Sequence, residues 1–264
     1  MKEDSAMNSL AEIPEPVRRI AGRLFEFPTV HAVVLAGSRG TGRSDSDSDY
    51  DLYVYADQEI PSDSRRSLLG NEAEIGNRFW EPGDEAREPS TGIGLDIMYR
   101  SPRWIEDQLD RVLLRHEASI GYSTCFWFNV LHSTILFDRD SWYGRLQARA
   151  RLPYPDSLRR AIVTKNWPIL RRNQSSYRHQ IDLAVRREDT FSILHRTSAL
   201  LASFFDIWFA LERSPHPGEK RLLGCLPDEW SRRVSNVLES QPSQLLEAID
   251  KLLDPLDERL RTES

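Results

Sequence analysis

Cysteine is scarce in this chain: 264 residues hold only Cys125 and Cys225, far apart and in apolar surroundings. That excludes a small secreted domain stapled by disulfides and leads us to expect two reduced, buried thiols. Long apolar runs are missing too. The most hydrophobic stretch, 199–211, is interrupted by Asp206 and is too short to span a bilayer core of about 30 Å. The opening MKEDSAMNSLAEIPEP has no apolar segment of the kind a secretory leader carries, so the expected location is the cytoplasm. No internal repeat or low-complexity tract stands out. A basic excess is absent as well: the net charge of −6 argues against a protein that coats long nucleic acid.

What is there begins with ordinary globular chemistry. Hydrophobic residues make up 39% and charged residues 29%, enough for one large core or two modest ones. The charge is unevenly spread. Residues 145–187 hold eleven Lys or Arg and two acids, a local charge of +9, which leaves −15 for the rest. An acidic part beside a basic part suggests a site that handles an anion and a cation together.

The first part of the chain reads as mixed α/β. The spacing predicts a helix over 16–25, strands at HAVVLAGS, YDLYVYA and GIGLDIMYR, a helix over 102–116 and a last strand at STILFD. RFWEPGDEA carries a Pro-Gly turn. After RLPYPD, helical periodicity dominates: 157–172, 175–187, 190–212 and 244–260, with SPHPGEKRLLG as a loop. The expected division is an α/β domain over 1–142 and an all-α domain over 143–264.

The stretch GSRGTGRSDSDSDYDLYVY, 37–55, concentrates aspartate at the mouth of an apolar strand. Strand alternation puts Asp49, Asp51 and Tyr53 on one face and Tyr50, Leu52 and Val54 on the other. Carboxylates at i and i+2 lie about 7 Å apart, a spacing suited to hard divalent cations bridged by oxygen ligands. Asp96 stands alone among apolar neighbours in GLDIMYR, costly unless a metal or partner meets it. Three such acids make a site for two Mg²⁺ ions the expectation. Gly37 ends the preceding strand where a Cβ would block close approach, Ser38 adds a hydroxyl, and Arg39 and Arg43 flank the turn. A turn of this kind accepts an anion, so the expected ligand is a metal-chelated triphosphate.

GSRGTGRSDSDSDYDL resembles the signature of the DNA polymerase β-like nucleotidyltransferase superfamily: Gly-Ser, a second glycine, then Ser-Asp-x-Asp. The matching positions are Gly37, Ser38, Gly42, Ser48, Asp49 and Asp51, with Asp96 as the third carboxylate of a later strand. FWEPGDEA and HPGEKRLL are similar to a bacterial stand-alone branch laid out like the antibiotic (aminoglycoside- or lincosamide-type) nucleotidyltransferases. The resemblance implies a five-stranded mixed sheet, Mg²⁺, and transfer of a nucleotide, most simply AMP from ATP, to an acceptor hydroxyl. Asp96 acts there as metal ligand or assists deprotonation; the sequence leaves both open. A small cationic acceptor is expected; tRNA or protein acceptors of the toxin–antitoxin type, or a non-catalytic nucleotide-binding antitoxin or sensor, are the alternatives.

Other residues are weighed against plainer roles. Lys165 in the basic stretch and Lys220, with Arg221, in the Pro-Gly loop are candidates for the triphosphate, against solvated positions on a helix and a turn. Glu81 and Asp84 are candidates for a cationic acceptor. Asp45 and Asp47 read as solvated turn acids, and His195 and Arg196 as capping or core groups.

Overall fold

The computed structural model describes residues 13–40, 49–78, 81–88 and 90–262. In chain order the first elements are helix Glu15–Phe25 (α1), strand Val30–Leu35 (β1), a short helix Gly37–Gly40 (α2), strand Tyr50–Ala56 (β2) and helix Ser62–Leu69 (α3). Strands Glu74–Asn77 (β3), Gly83–Arg87 (β4) and Gly94–Arg100 (β5) follow, then helices Pro102–Leu113 (α4) and Cys125–His132 (α5), strand Thr134–Asp138 (β6) and helix Trp142–Ala150 (α6). The remaining elements are helices: Asp156–Arg171 (α7), Tyr177–Arg186 (α8), Thr190–Leu211 (α9), Asp228–Glu239 (α10) and Pro242–Thr262 (α11). The fold is thus a mixed α/β sheet followed by a helical C-terminal part.

The chain divides into two compact units, 1–111 with 126–153, and 112–125 with 154–264. In the first, six strands lie in the order β3-β4-β5-β2-β1-β6, one more than the family resemblance implies. Only β2 and β5 run parallel; the other neighbours are antiparallel. Alternation places Tyr50, Leu52 and Val54 in a core with Leu95 and Ile97. Helix α1 closes that face: Pro16 starts it and Val17, Ile20, Ala21 and Leu24 recur at helical spacing, all buried. Each fully buried Val, Ile or Leu there contributes about 1.5–3 kcal/mol. The other face turns Asp51, Tyr53 and Tyr55 away from this core, and Tyr55 meets Tyr143 of α6 at 5.3 Å.

Strands β3 and β4 and helices α3, α5, α6 and α10 go beyond the sequence expectation. EIGN and GDEAR are short and poor in β-branched or aromatic residues, so neither carries a strand signal.

In the second unit, α9 is the central helix; from Ser203 to Leu211 every residue is buried. Its one buried acid, Asp206, accepts hydrogen bonds from the backbone N–H of Ser123 at 2.9 Å, the Ser123 hydroxyl at 2.6 Å and Asn166 Nδ2 at 3.2 Å. Asn166 in turn accepts from the Gly121 N–H at 3.1 Å and donates to the Ser119 carbonyl at 3.0 Å. These bonds tie segment 112–125 to α7 and α9, because a buried carboxylate without donors is costly. The basic stretch is similarly engaged. Arg171 pairs with Asp257 at 2.6 Å and Asp254 at 2.8 Å, and Arg178 with Asp250 at 2.6 Å, all on α11.

Cys125 and Cys225 are free thiols, each half-buried rather than enclosed. Burial pushes the Cys125 thiol up to about 12, with Asp206 acting in the same direction. Its sulfur lies 3.5 Å from Nδ1 of His216, which also accepts the Gly218 N–H at 3.0 Å. With Nδ1 accepting, the imidazole proton belongs on Nε2, a buried atom with no hydrogen-bond partner among the described residues. Burial lowers the His216 pKa to about 4. The folded state therefore holds His216 neutral where the unfolded chain protonates it. Stability is complete above the ordinary histidine value and falls as pH drops from about 6.5 towards 4, by up to about 3 kcal/mol. Thermal melts at pH 7 and pH 5 check this: His216→Phe should flatten the difference.

Candidate functional site

Four chain segments meet at one edge of the sheet. Strand β1 ends at Leu35, and the Ala36 N–H still reaches the Asp51 carbonyl at 2.9 Å, extending the β1–β2 pairing one step. The chain then turns at Gly37, whose φ of +59° lies in the left-handed region. The Asp51 carboxylate sits directly against this residue: a Cβ on Gly37 would fall 1.7 Å from Asp51 Oδ2. Gly94, at the start of β5, has the same relation to Asp49, with a Cβ 1.9 Å from Oδ1. At both glycines a side chain would force the facing carboxylate to move, and at Gly37 the positive φ adds a backbone reason for glycine. Arg39, in α2, lays its guanidinium over the Tyr50 ring, 4.1 Å from the centroid.

The parallel register sets Asp51 directly beside Asp96. Residues paired across strands share a face, so these half-buried carboxylates are neighbours. The row continues outward: Asp96 faces Glu85 on β4, and Glu85 faces Glu74 on β3. Four acids therefore stand side by side across β2, β5, β4 and β3. Glu74 and Glu85 carry little signal in the sequence because β3 and β4 carry little; only the alternate acids of EAEIG and the adjacent acids of GDEAR hint at them. An adjoining groove of about 780 Å³ is lined by Asp49, Glu72, Glu74, Glu85 and Asp96, with Arg87 as its one cationic residue among those described.

Like charges opposed across strands are unfavourable, which makes this edge a cation-seeking surface. Among the described residues, no three His, Cys, Asp or Glu side chains converge closely enough to enclose a metal ion by themselves. The adjacent Asp51 and Asp96 carboxylates fit an ion that takes few protein oxygens and completes its shell with water or phosphate, as Mg²⁺ does. Behind them, Tyr53 is buried under the Arg100 guanidinium, 3.8 Å from the ring centroid. Burial raises the Tyr53 pKa; Arg100 opposes the shift and Asp51 adds to it.

The sequence candidates separate clearly. Asp49, Asp51, Asp96, Gly37 and Arg39 lie at this edge, while the Ser38 side chain is outside what the structure describes. Gly42 and Ser48, like Arg43, Asp45 and Asp47, lie outside the described residues. Lys165 belongs to the second unit, where its ammonium donates to the Ala118 carbonyl at 2.7 Å; Lys220 belongs to that unit as well. Glu81 and Asp84 are held by structural partners rather than presented to an acceptor. Glu81 accepts two bonds from Arg100, at 2.6 and 2.8 Å. Asp84, 1% exposed, accepts from Arg65 Nη1 at 2.5 Å, the Gly76 N–H at 2.8 Å and the Tyr99 hydroxyl at 2.7 Å.

No protein-family model and no curated protein sequence matches the chain. Among solved structures, it is similar to a nucleotidyltransferase-like protein from Exiguobacterium sibiricum 255-15. The identity is 12%, over 92% of this chain and 73% of that one, with a TM-score of 0.46. No helix among the described residues is long and apolar enough to cross a membrane.

Proposed function

We propose that this chain is a cytoplasmic nucleotidyltransferase that moves a nucleotide, most simply AMP from ATP, onto a hydroxyl of a small cationic acceptor. The observation that carries this reading is the register of Asp51 beside Asp96, next to a Gly37 turn that leaves no room for a Cβ. Asp51 and Asp96 are the adjacent carboxylates that would hold Mg²⁺, with water or phosphate completing its shell, and Asp49 adds negative charge beside them. When bound, Mg²⁺ offsets phosphate charge and that of the departing pyrophosphate. Gly37, Ser38 and Arg39 are the residues assigned to the triphosphate. Asp96, on the acidic row, is the residue assigned to receive the acceptor proton as the hydroxyl oxygen bonds to the α-phosphorus. The bond from that phosphorus to the bridging oxygen breaks, and pyrophosphate leaves with its electron pair. Glu85 and Glu74 extend the row as a surface for ammonium groups of the acceptor.

An RNA acceptor is less favoured, because Arg171 and Arg178 of the basic stretch are already paired with α11 acids. The test is incubation with Mg²⁺ and each nucleoside triphosphate against aminoglycosides, lincosamides, tRNA and lysate protein, reading pyrophosphate release and acceptor mass. Acceptor-dependent pyrophosphate that changes little between 50 and 200 mM salt is the expected result. Tight ATP binding with no pyrophosphate for any acceptor would instead identify a nucleotide sensor. Transfer to tRNA that falls steeply with salt would identify an RNA-modifying enzyme.

A further inference from the structure

The Gly37 turn has two sides. Towards β2 lies the Asp51 carboxylate, and towards β6 lies the end of α5. Strand β1 pairs with β6 antiparallel, Val34 beside Ile135 and Leu35 beside Thr134. Carried two residues further, that register sets Gly37 beside His132, the last residue of α5. The packing agrees. The Gly40 N–H closes onto the Ala36 carbonyl at 2.9 Å. A Cβ on Gly40 would fall 2.6 Å from the Leu35 carbonyl oxygen and 3.9 Å from that of His132. The last turn of α5 thus lies against the glycine turn, and it is fixed there. Buried Gln147 of α6 donates to the Val130 carbonyl at 3.0 Å and the Ser133 carbonyl at 2.7 Å. The His132 ring rests on Phe128, one turn earlier, with centroids 4.2 Å apart, yet the residue is exposed.

We infer that His132 is a further phosphate-binding residue, holding the terminal phosphates of the nucleotide on the side of the turn away from Asp51 and Asp96. The inference rests on the reading of the Gly37 turn as the triphosphate site and assigns that site a second donor. A triphosphate brings several negative charges to a place already lined by carboxylates, so basic groups must offset them. Arg39 is the one basic residue of α2, and its guanidinium lies over the Tyr50 ring. Lys165 and Lys220 belong to the second unit. His132 supplies a donor on the β6 side. In either protonation state an imidazole offers at least one N–H to a phosphate oxygen. Neighbouring strands lie about 4.8 Å apart, so Asp51 and His132, flanking β1, stand roughly 10 Å from each other. With the α-phosphate at the metal, the β- and γ-phosphates are left to cover that interval.

Titration calorimetry of the full chain with ATP, ADP and AMP in the presence of Mg²⁺ reads this without an acceptor or any turnover. His132→Ala should weaken ATP binding by about tenfold and leave AMP within about twofold. His132→Glu should weaken ATP by on the order of 10²-fold, and His132→Lys should restore affinity close to that of the unaltered chain. Circular dichroism should be unchanged in all three, since the residue is exposed. Full ATP affinity in His132→Ala and His132→Glu overturns the inference alone. An equal loss for ATP and AMP, not rescued by lysine, also overturns it and marks a packing role. An unaltered chain that binds no nucleotide overturns the triphosphate reading of the Gly37 turn, and this inference with it.

Discussion

The Asp51→Ala variant is expected to fold, to lose nucleotidyl transfer by on the order of 10³-fold or more, and to melt no higher with Mg²⁺ than without. Asp51 lies beside Asp96 in register, so its removal takes away one half of the paired carboxylates. Loss of activity together with loss of the Mg²⁺-dependent rise in melting temperature is a signature that a merely structural aspartate does not produce. Pyrophosphate release and thermal melts with and without Mg²⁺ measure both sides. Activity retained with an unaltered Mg²⁺ requirement would remove Asp51 from the site.

Gly37→Ala is expected to be nearly as damaging through geometry alone. The new methyl would lie 1.7 Å from Asp51 Oδ2, and the φ of +59° is itself unfavourable for alanine by about 1–2 kcal/mol. Either the turn or the carboxylate must move. A displacement near 1 Å lowers turnover by on the order of 10²-fold. Urea unfolding should show a loss of about 1–3 kcal/mol. The two substitutions should not add: with Asp51→Ala also present, the collision with the carboxylate is gone, and the backbone cost of Gly37→Ala remains with a single tight contact of 3.1 Å to the Cβ of residue 51. Strict additivity would mean that Gly37 and Asp51 do not touch.

The parts of the molecule that could be read from sequence are those where one strong pattern dominates. YDLYVYA alternates cleanly, and β2 occupies 50–56 as expected; the long apolar periods of α7, α8 and α9 fall within a residue or two of their expected ends. Glycine beside aspartate in 37–51 marked the turn and the first carboxylates, and the lone acid in GLDIMYR marked Asp96. Pairing across strands could not be read in this way, because register is a property of two segments that lie far apart in the chain. Glu74 and Glu85 join the acidic row only through the order β3-β4-β5-β2. Isolated charges misled for the same reason. Asp84 and Glu81 stand in a Pro-Gly turn that looks solvated, yet Arg65 and Arg100, nineteen positions away in each case, engage both. Asp206 read as a break in an apolar run; it is the acceptor that gathers Ser123 and Asn166.

That gathering has a consequence for how the protein can be cut and recombined. Residues 112–125 leave the sheet unit, join the helices, and the chain then returns for 126–153. A helical fragment begun at residue 143 would lack Ser119, Gly121 and Ser123, stranding the Asp206 carboxylate and the Asn166 amide inside an apolar core. The two units are therefore woven into one heritable piece rather than joined as cassettes. Any shuffling that preserved both would have to carry the excursion along with the helices it serves.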